Sequence, residues 1–198
     1  MTRKVYFNGA AQDWDERFYT PELVAFLGNL VSNFGLELGQ DVLDVGTGTG
    51  ILIPFLLQAI GPSGSITAID YAEKMVQICR SKYSHLQNVT IELQDMEELN
   101  LPSASFDAVT CFGLFPHLEN KEQALYHMNR VLKLGGKLII AHALSSDEIK
   151  AHHSVSSAVA HDVLPEKQEM ERLLRQTGFI DIFIEDEQGC YLCFSTKP

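Results

Sequence analysis

The chain has 198 residues, 45% of them hydrophobic and 21% charged, a length that a single hydrophobic core serves. Its 15 Lys and Arg against 26 Asp and Glu give a formal charge of -11, a field that repels phosphate backbones and argues against a nucleic-acid partner. Mean hydropathy is close to zero, no apolar run approaches the roughly 18 to 20 residues that cross a bilayer, and no apolar stretch follows the basic start. One domain, no membrane span, no signal peptide and a cytoplasmic location are therefore expected.

Residues 21–34 place Leu23, Phe26, Leu27, Leu30, Val31 and Phe34 on one helical stripe, with Thr20 as N-cap and Pro21 at the first helical position. Residues 41–45 read as a strand that runs into glycines at 46, 48 and 50, and 51–60 as a helix stopped by Gly61-Pro62. The unit then repeats: strands at 65–69, 89–93, 107–112 and 137–142, helices at 71–83 and 121–134, the latter ended by Gly135-Gly136 as C-cap and turn. A last helix carries Met170, Leu173 and Leu174, and strands at 179–185 and 190–195 are joined by a link too short for a crossover. Alternating strands and helices imply an α/β fold, Rossmann-like and doubly wound, whose seven-stranded sheet is mostly parallel with an antiparallel C-terminal hairpin at its edge. Residues 143–165, rich in Ser and His, carry no clear period.

Four cysteines are too few for a disulfide scaffold in a chain this long. Cys190 and Cys193 have the spacing of a metal knuckle, but in an alternating strand they face opposite ways, which favours packing over ligation.

Val42-Leu43-Asp44-Val45-Gly46-Thr47-Gly48-Thr49-Gly50 is a strand entering a glycine turn that opens a helix. Such a turn brings backbone N–H groups close to a ligand without Cβ interference. A dinucleotide fingerprint needs a third glycine or alanine where Ile51 stands, which leaves an NAD oxidoreductase only weakly supported, and no Gly-Lys-Ser/Thr follows for a P-loop. Asp44 beside the turn opposes a phosphate and suits the ammonium of an amino-acid-like ligand.

The Asp44 to Gly50 segment resembles the first motif of class I S-adenosylmethionine-dependent methyltransferases, and later segments follow in that family's order. Ala68-Ile69-Asp70 resembles the end of the second strand, where an acid takes both ribose hydroxyls, and Gln94-Asp95-Met96 the end of the third, which meets adenine. Residues 106–118 and 131–140 resemble the fourth-strand motif and the approach to the fifth, most like the ubiquinone/menaquinone-biosynthesis branch. The resemblance implies S-adenosyl-L-methionine as cofactor, held by Asp44, Gly46, Thr47, Gly48, Gly50, Asp70, Tyr71, Asp95, Met96 and Cys111. It also implies methyl transfer to a small molecule, since Cys111-Phe112-Gly113-Leu114 lacks the Asn/Asp-Pro-Pro-aromatic signature of amino-group methylation in DNA bases and glutamine. Asp70 and Asp95 can each equally cap the helix that follows.

The expected partition is a helical lid over 1–34, a cofactor-binding core over 41–142, a substrate-covering insert over 143–165, and a final helix and hairpin over 166–198. Trp14 reads equally as lid or core. His142 and His153 are the candidate bases, with His117 and His161 as alternatives, because a neutral imidazole near pH 7 takes up a proton readily. His142, His153 and His161 are also candidate metal ligands. A second reading is therefore a cofactor-binding module whose His-rich segment holds a metal or metallated ligand without turnover.

Overall fold

The computed structural model describes residues 2–155 and 157–198, so Met1 and, within the 143–165 segment, Ser156 lie outside the described residues. The chain opens with helix α1 (Arg3–Ala10), a 3-10 turn over Ala11–Asp13 and helix α2 (Trp14–Phe18). Helix α3 (Pro21–Ser32) begins as its sequence dictates: Thr20 Oγ1 accepts from Leu23 N at 3.2 Å and Pro21 sits in the first turn, where its missing N–H costs little. From there strands and helices alternate as β1 (Asp41–Val45), α4 (Ile53–Ile60), β2 (Ser65–Asp70), α5 (Glu73–Tyr83), β3 (Val89–Leu93), β4 (Phe106–Phe112), α6 (Lys121–Val131) and β5 (Leu132–His142). Helices α7 (Ser146–His153) and α8 (Lys167–Gln176) lead to β6 (Ile180–Glu187) and β7 (Cys190–Thr196).

The seven strands form one sheet in the order β3-β2-β1-β4-β5-β7-β6. Successive residues of each strand face opposite sides, and both sides are apolar. Leu43, Val109, Cys111 and Ile140 pack with Leu125 and Met128 of α6 and Met170 and Leu174 of α8. Val42, Ala108, Ile139 and Ala141 pack with Leu27 and Leu30 of α3, Leu56 of α4 and Cys79 of α5. Helix α3 thus belongs to the core. Cys190 and Cys193 lie against opposite faces, as strand alternation requires, and all four cysteines are free.

Two features differ from the sequence expectation. The antiparallel strand is internal: β7 pairs antiparallel with both β5 and β6, so β6 at the edge runs parallel to β5. The two-residue link Gln188-Gly189 forces β6 and β7 to be neighbours, but nothing local decides which of them meets β5. Gly135-Gly136 is not the end of α6, because Leu132 already has extended backbone and opens β5 without a loop. The glycines instead make an irregular stretch where β5 passes Asp107; a Cβ on Gly136 would lie 2.8 Å from Lys133 O.

The segment after β5 contains α7, opened by a capping box: Glu148 N donates to Ser145 Oγ at 3.3 Å, and Ser145 N to Glu148 Oε2 at 2.8 Å. Glu148 Oε2 also accepts from Gly189 N at 2.8 Å, tying α7 to the hairpin turn. Leu125, wholly buried where α6 meets the sheet, gives a direct check on this packing. Leu125→Ala is expected to lower unfolding free energy by about 2 to 5 kcal/mol in a urea titration.

Candidate active site

The chain passes from β1 outward to β3 and then returns to place β4 on the other side of β1. The crevice beyond the carboxyl ends of the strands at that reversal is where open α/β sheets bind ligands. A cavity of about 340 Å³ opens there, lined by Val45 and Gly46 at the end of β1, Asp70 and Tyr71 at the end of β2, Asp95 and Met96 after β3, Leu114 and His117 after β4, and Arg3 and Lys4 of α1. That volume lies within the roughly 300 to 1,000 Å³ of small-molecule sites.

The glycine turn is built for close approach. Gly46 has φ +69°, and a Cβ there would stand 2.7 Å from the Leu114 side chain, so the turn and the segment after β4 meet at a distance only glycine permits. Behind it Asp44 is 1% exposed, with one carboxylate oxygen accepting from Thr110 Oγ1 at 2.8 Å and the other, Oδ2, without a protein partner. Burial pushes the Asp44 carboxyl up to about 6, with the nearby Asp70 charge adding to the rise. Asp70 joins the two halves of the site: Gly48 N donates to its Oδ2 at 2.9 Å and Ala72 N to its Oδ1 at 2.8 Å. Burial raises it to about 6 as well, against the pull of these amides.

Asp95 does what its position before a short helix allows, accepting from Glu97 N at 2.9 Å, and it also lines the cavity. Met96 is buried beneath the same wall. Thr47 is buried in the turn with its hydroxyl unpaired, and Gly50 opens the path to α4. Cys111 is wholly buried in the core and does not line the cavity, and burial pushes its thiol up strongly. The cradle of glycines, the orphaned Asp44 oxygen and the paired acids suit a ligand with an ammonium at one end and a diol further along.

The histidines divide. His117 lines the cavity, and its Nδ1 lies 2.7 Å from Asp162 Oδ2. His153 is buried with Nδ1 2.6 Å from the Asp162 carbonyl, its ring 4.9 Å from that of His117. His142 ends β5 with a buried, unpartnered Nδ1, away from the cavity lining. Burial, then repulsion from His117, His153 and His152, holds it down at about 3. His161 is exposed. The three metal candidates therefore do not converge, and among the described residues no group of three or more His, Cys, Asp or Glu side chains is arranged to hold a metal ion.

Trp14 is half-buried in a small cluster with Phe7, Ala11 and Met75, under α1 rather than in the cavity wall. Sequence reasoning passed over Arg3 and Lys4, which line the cavity, and the partners that hold them and Asp15. Arg3 spans Asp162 and Glu119, Lys4 pairs with Glu73 at 2.8 Å, and Asp15 pairs with Lys82 and Thr49 beside the glycine turn. Single charges in helices and loops carry no period, so only the fold reveals these pairings.

A methyltransferase-domain family model matches residues 42–136, the stretch that supplies the glycine turn, Asp70 and Asp95. The demethylmenaquinone methyltransferase of Staphylococcus aureus is 28% identical over 185 residues, covering 81% of this chain and 76% of that protein. An S-adenosylmethionine-dependent methyltransferase from Aquifex aeolicus superposes with a TM-score of 0.76 at 24% identity, covering 96% of this chain and 98% of that one. Phosphoethanolamine N-methyltransferase 2 from Haemonchus contortus, in complex with S-adenosylhomocysteine, superposes with a TM-score of 0.74 at 18% identity over 88% of this chain and 52% of that one. Over residues 42–136 the chain is thus similar to the methyltransferase-domain family, and it shares its fold with S-adenosylmethionine-dependent methyltransferases of solved structure.

The buried acids give a pH signature to the ligand-free protein. A carboxyl near 6 in the folded chain and near its ordinary 3.8 when unfolded takes up a proton on folding between those values. Its burial cost is therefore fully present above about pH 6 and shrinks as the pH falls toward 4. Asp44→Asn removes the ionisation, so the stability of the variant relative to wild type is expected to be higher at pH 8 than at pH 5, read as paired urea midpoints.

Proposed function

We propose that the cavity holds S-adenosylmethionine with its methionine end against Asp44, Thr47 and the backbone of Gly46, Gly48 and Gly50. The ribose hydroxyls lie on Asp70, and the adenine lies among Tyr71, Asp95 and Met96. The observation that carries this reading is a single cavity lined by Gly46 of the glycine turn, Asp70, Tyr71, Asp95 and Met96, with Asp44 buried behind the turn and one of its carboxylate oxygens unpaired. Asp70 has two acceptor oxygens, which suit a diol, and its amide bonds to Gly48 and Ala72 fix them in place.

The cofactor supplies a methyl group on a sulfonium centre, and the protein's part is to bind, orient and cover. A small-molecule acceptor enters beside Leu114 and His117, under α1, and receives the methyl group by in-line displacement. Aligning the reacting atoms contributes several kcal/mol without any covalent participation by the protein. Residues 3–19 form the lid and 143–165 the cover on the acceptor side. The charge of -11 and the demethylmenaquinone methyltransferases among the relatives support a small acceptor over a nucleic acid. No helix among the described residues is long and apolar enough to cross a membrane, and a cytoplasmic location is part of this reading.

Calorimetry tests the cofactor assignment. S-adenosylhomocysteine is expected to bind the wild-type protein, to bind Asp70→Ala about 10-fold or more weakly through loss of charge-assisted hydrogen bonds, and NAD to give no heat. An Asp70→Ala variant with unaltered affinity would remove the basis of the assignment. Turnover is then screened over quinol, thiol and amine acceptors by release of S-adenosylhomocysteine.

A further inference from the structure

Asp162 comes from the stretch of chain that showed no period, yet two partners from distant elements, Arg3 and His117, meet on its carboxylate. Arg3 of α1 reaches it with Nε at 2.9 Å from both oxygens and with a second nitrogen at 2.5 Å from Oδ1, and His117 Nδ1 stands 2.7 Å from Oδ2. The carboxylate is buried, and His117 and Arg3 hold it at about 2 against the opposing cost of burial. An ionised acceptor of this kind fixes the imidazole tautomer: the proton sits on Nδ1, and Nε2 carries the free lone pair. His117 lines the same cavity as the glycine turn, between Leu114 and Leu118. Burial holds it below its ordinary 6.5, so it is neutral at pH 7 and ready to accept a proton.

We propose that His117 is the general base of the methyl transfer, that Asp162 is its positioning residue, and that the acceptor atom is a hydroxyl oxygen whose proton the imidazole removes. This rests on the reading of the cavity as the methyl-transfer site. His117 Nε2 takes the hydroxyl proton. The freed oxygen electron pair bonds the methyl carbon as the carbon–sulfur bond breaks, its electron pair staying on sulfur. The imidazolium, stabilised by Asp162, later gives its proton to water. Arg3 makes the base depend on the cover, because the guanidinium that balances Asp162 belongs to α1 and the same side chain also holds Glu119 at 2.6 Å. His153 supports the arrangement from behind by holding the Asp162 backbone. The charged and titratable groups around His117 are Arg3 on α1, Lys121 on α6, Asp162, His142 at the end of β5 and His153 on α7.

The experiment pairs a structural readout with a kinetic one. In nitrogen-15 NMR of the S-adenosylhomocysteine complex, His117 is expected as the Nδ1–H tautomer with Nε2 unprotonated at pH 7; an Nε2–H tautomer overturns the proposal whatever the acceptor. With 1,4-naphthohydroquinone as the probe acceptor under anaerobic conditions, His117→Gln is expected to lose about 100-fold or more in kcat while its affinity for S-adenosylhomocysteine stays within about threefold. Retained turnover in that variant overturns the proposal. Asp162→Asn removes the charge that raises the His117 pKa, so the acid limb of kcat/KM moves to lower pH, a shift that a purely structural role does not produce. Turnover of thiols or amines but of no hydroxyl compound overturns the acceptor class. Absence of S-adenosylhomocysteine binding to wild type would instead defeat the underlying reading of the cavity.

Discussion

Gly48 donates its backbone amide to Asp70 across the gap between the first two strands, and Gly46 lets Leu114 from the fourth come within contact of the same turn. These two approaches lock the ends of β1, β2 and β4 around one point. Everything that defines the site is placed relative to it: Asp44 behind, Asp70 beside, and His117 three residues beyond Leu114. A side chain on Gly46 would push β4's loop away and open the cavity wall. The turn thus constrains the fold and the site together, with Asp70 satisfying a loop amide and keeping oxygens at the cavity wall.

Charge and burial pull against each other at this point. Asp44 and Asp70 are both buried and both pushed up to about 6, and the Asp70 charge adds to the cost of ionising Asp44. An isolated pair of buried carboxylates is unfavourable. On the proposed reading, the sulfonium and ammonium of the cofactor offset that cost. Around Asp162 the balance lies within the chain: Arg3 and His117 both meet its carboxylate.

The strands and the glycine turn were legible because their signals are local. Apolar runs at 41–45, 65–70 and 106–112 are bounded by glycine or proline, and the turn's spacing follows from the close approach it permits. Gly135-Gly136 was misread because the pattern of a helix end and of a strand irregularity share the same residues; Leu132 leaves the helix with no intervening loop. The placement of β7 between β5 and β6 depends on packing between distant segments, which no local pattern encodes. Asp70 and Asp95 stand near strand ends on the cavity wall, where a local pattern picks them out, whereas Asp162 and Arg3 are single charges whose meaning lies wholly in each other. The four candidate histidines were separable only by burial and by the Asp162 contact.

The most direct test of the central claim is a crystal structure of the protein with S-adenosylhomocysteine. The account predicts ligand density in the cavity between β1 and β4, with both ribose hydroxyls within hydrogen-bond distance of Asp70 and the sulfur end turned toward Gly46. Density at another surface, or a ligand whose ribose leaves Asp70 bound only to Gly48 and Ala72, would contradict it.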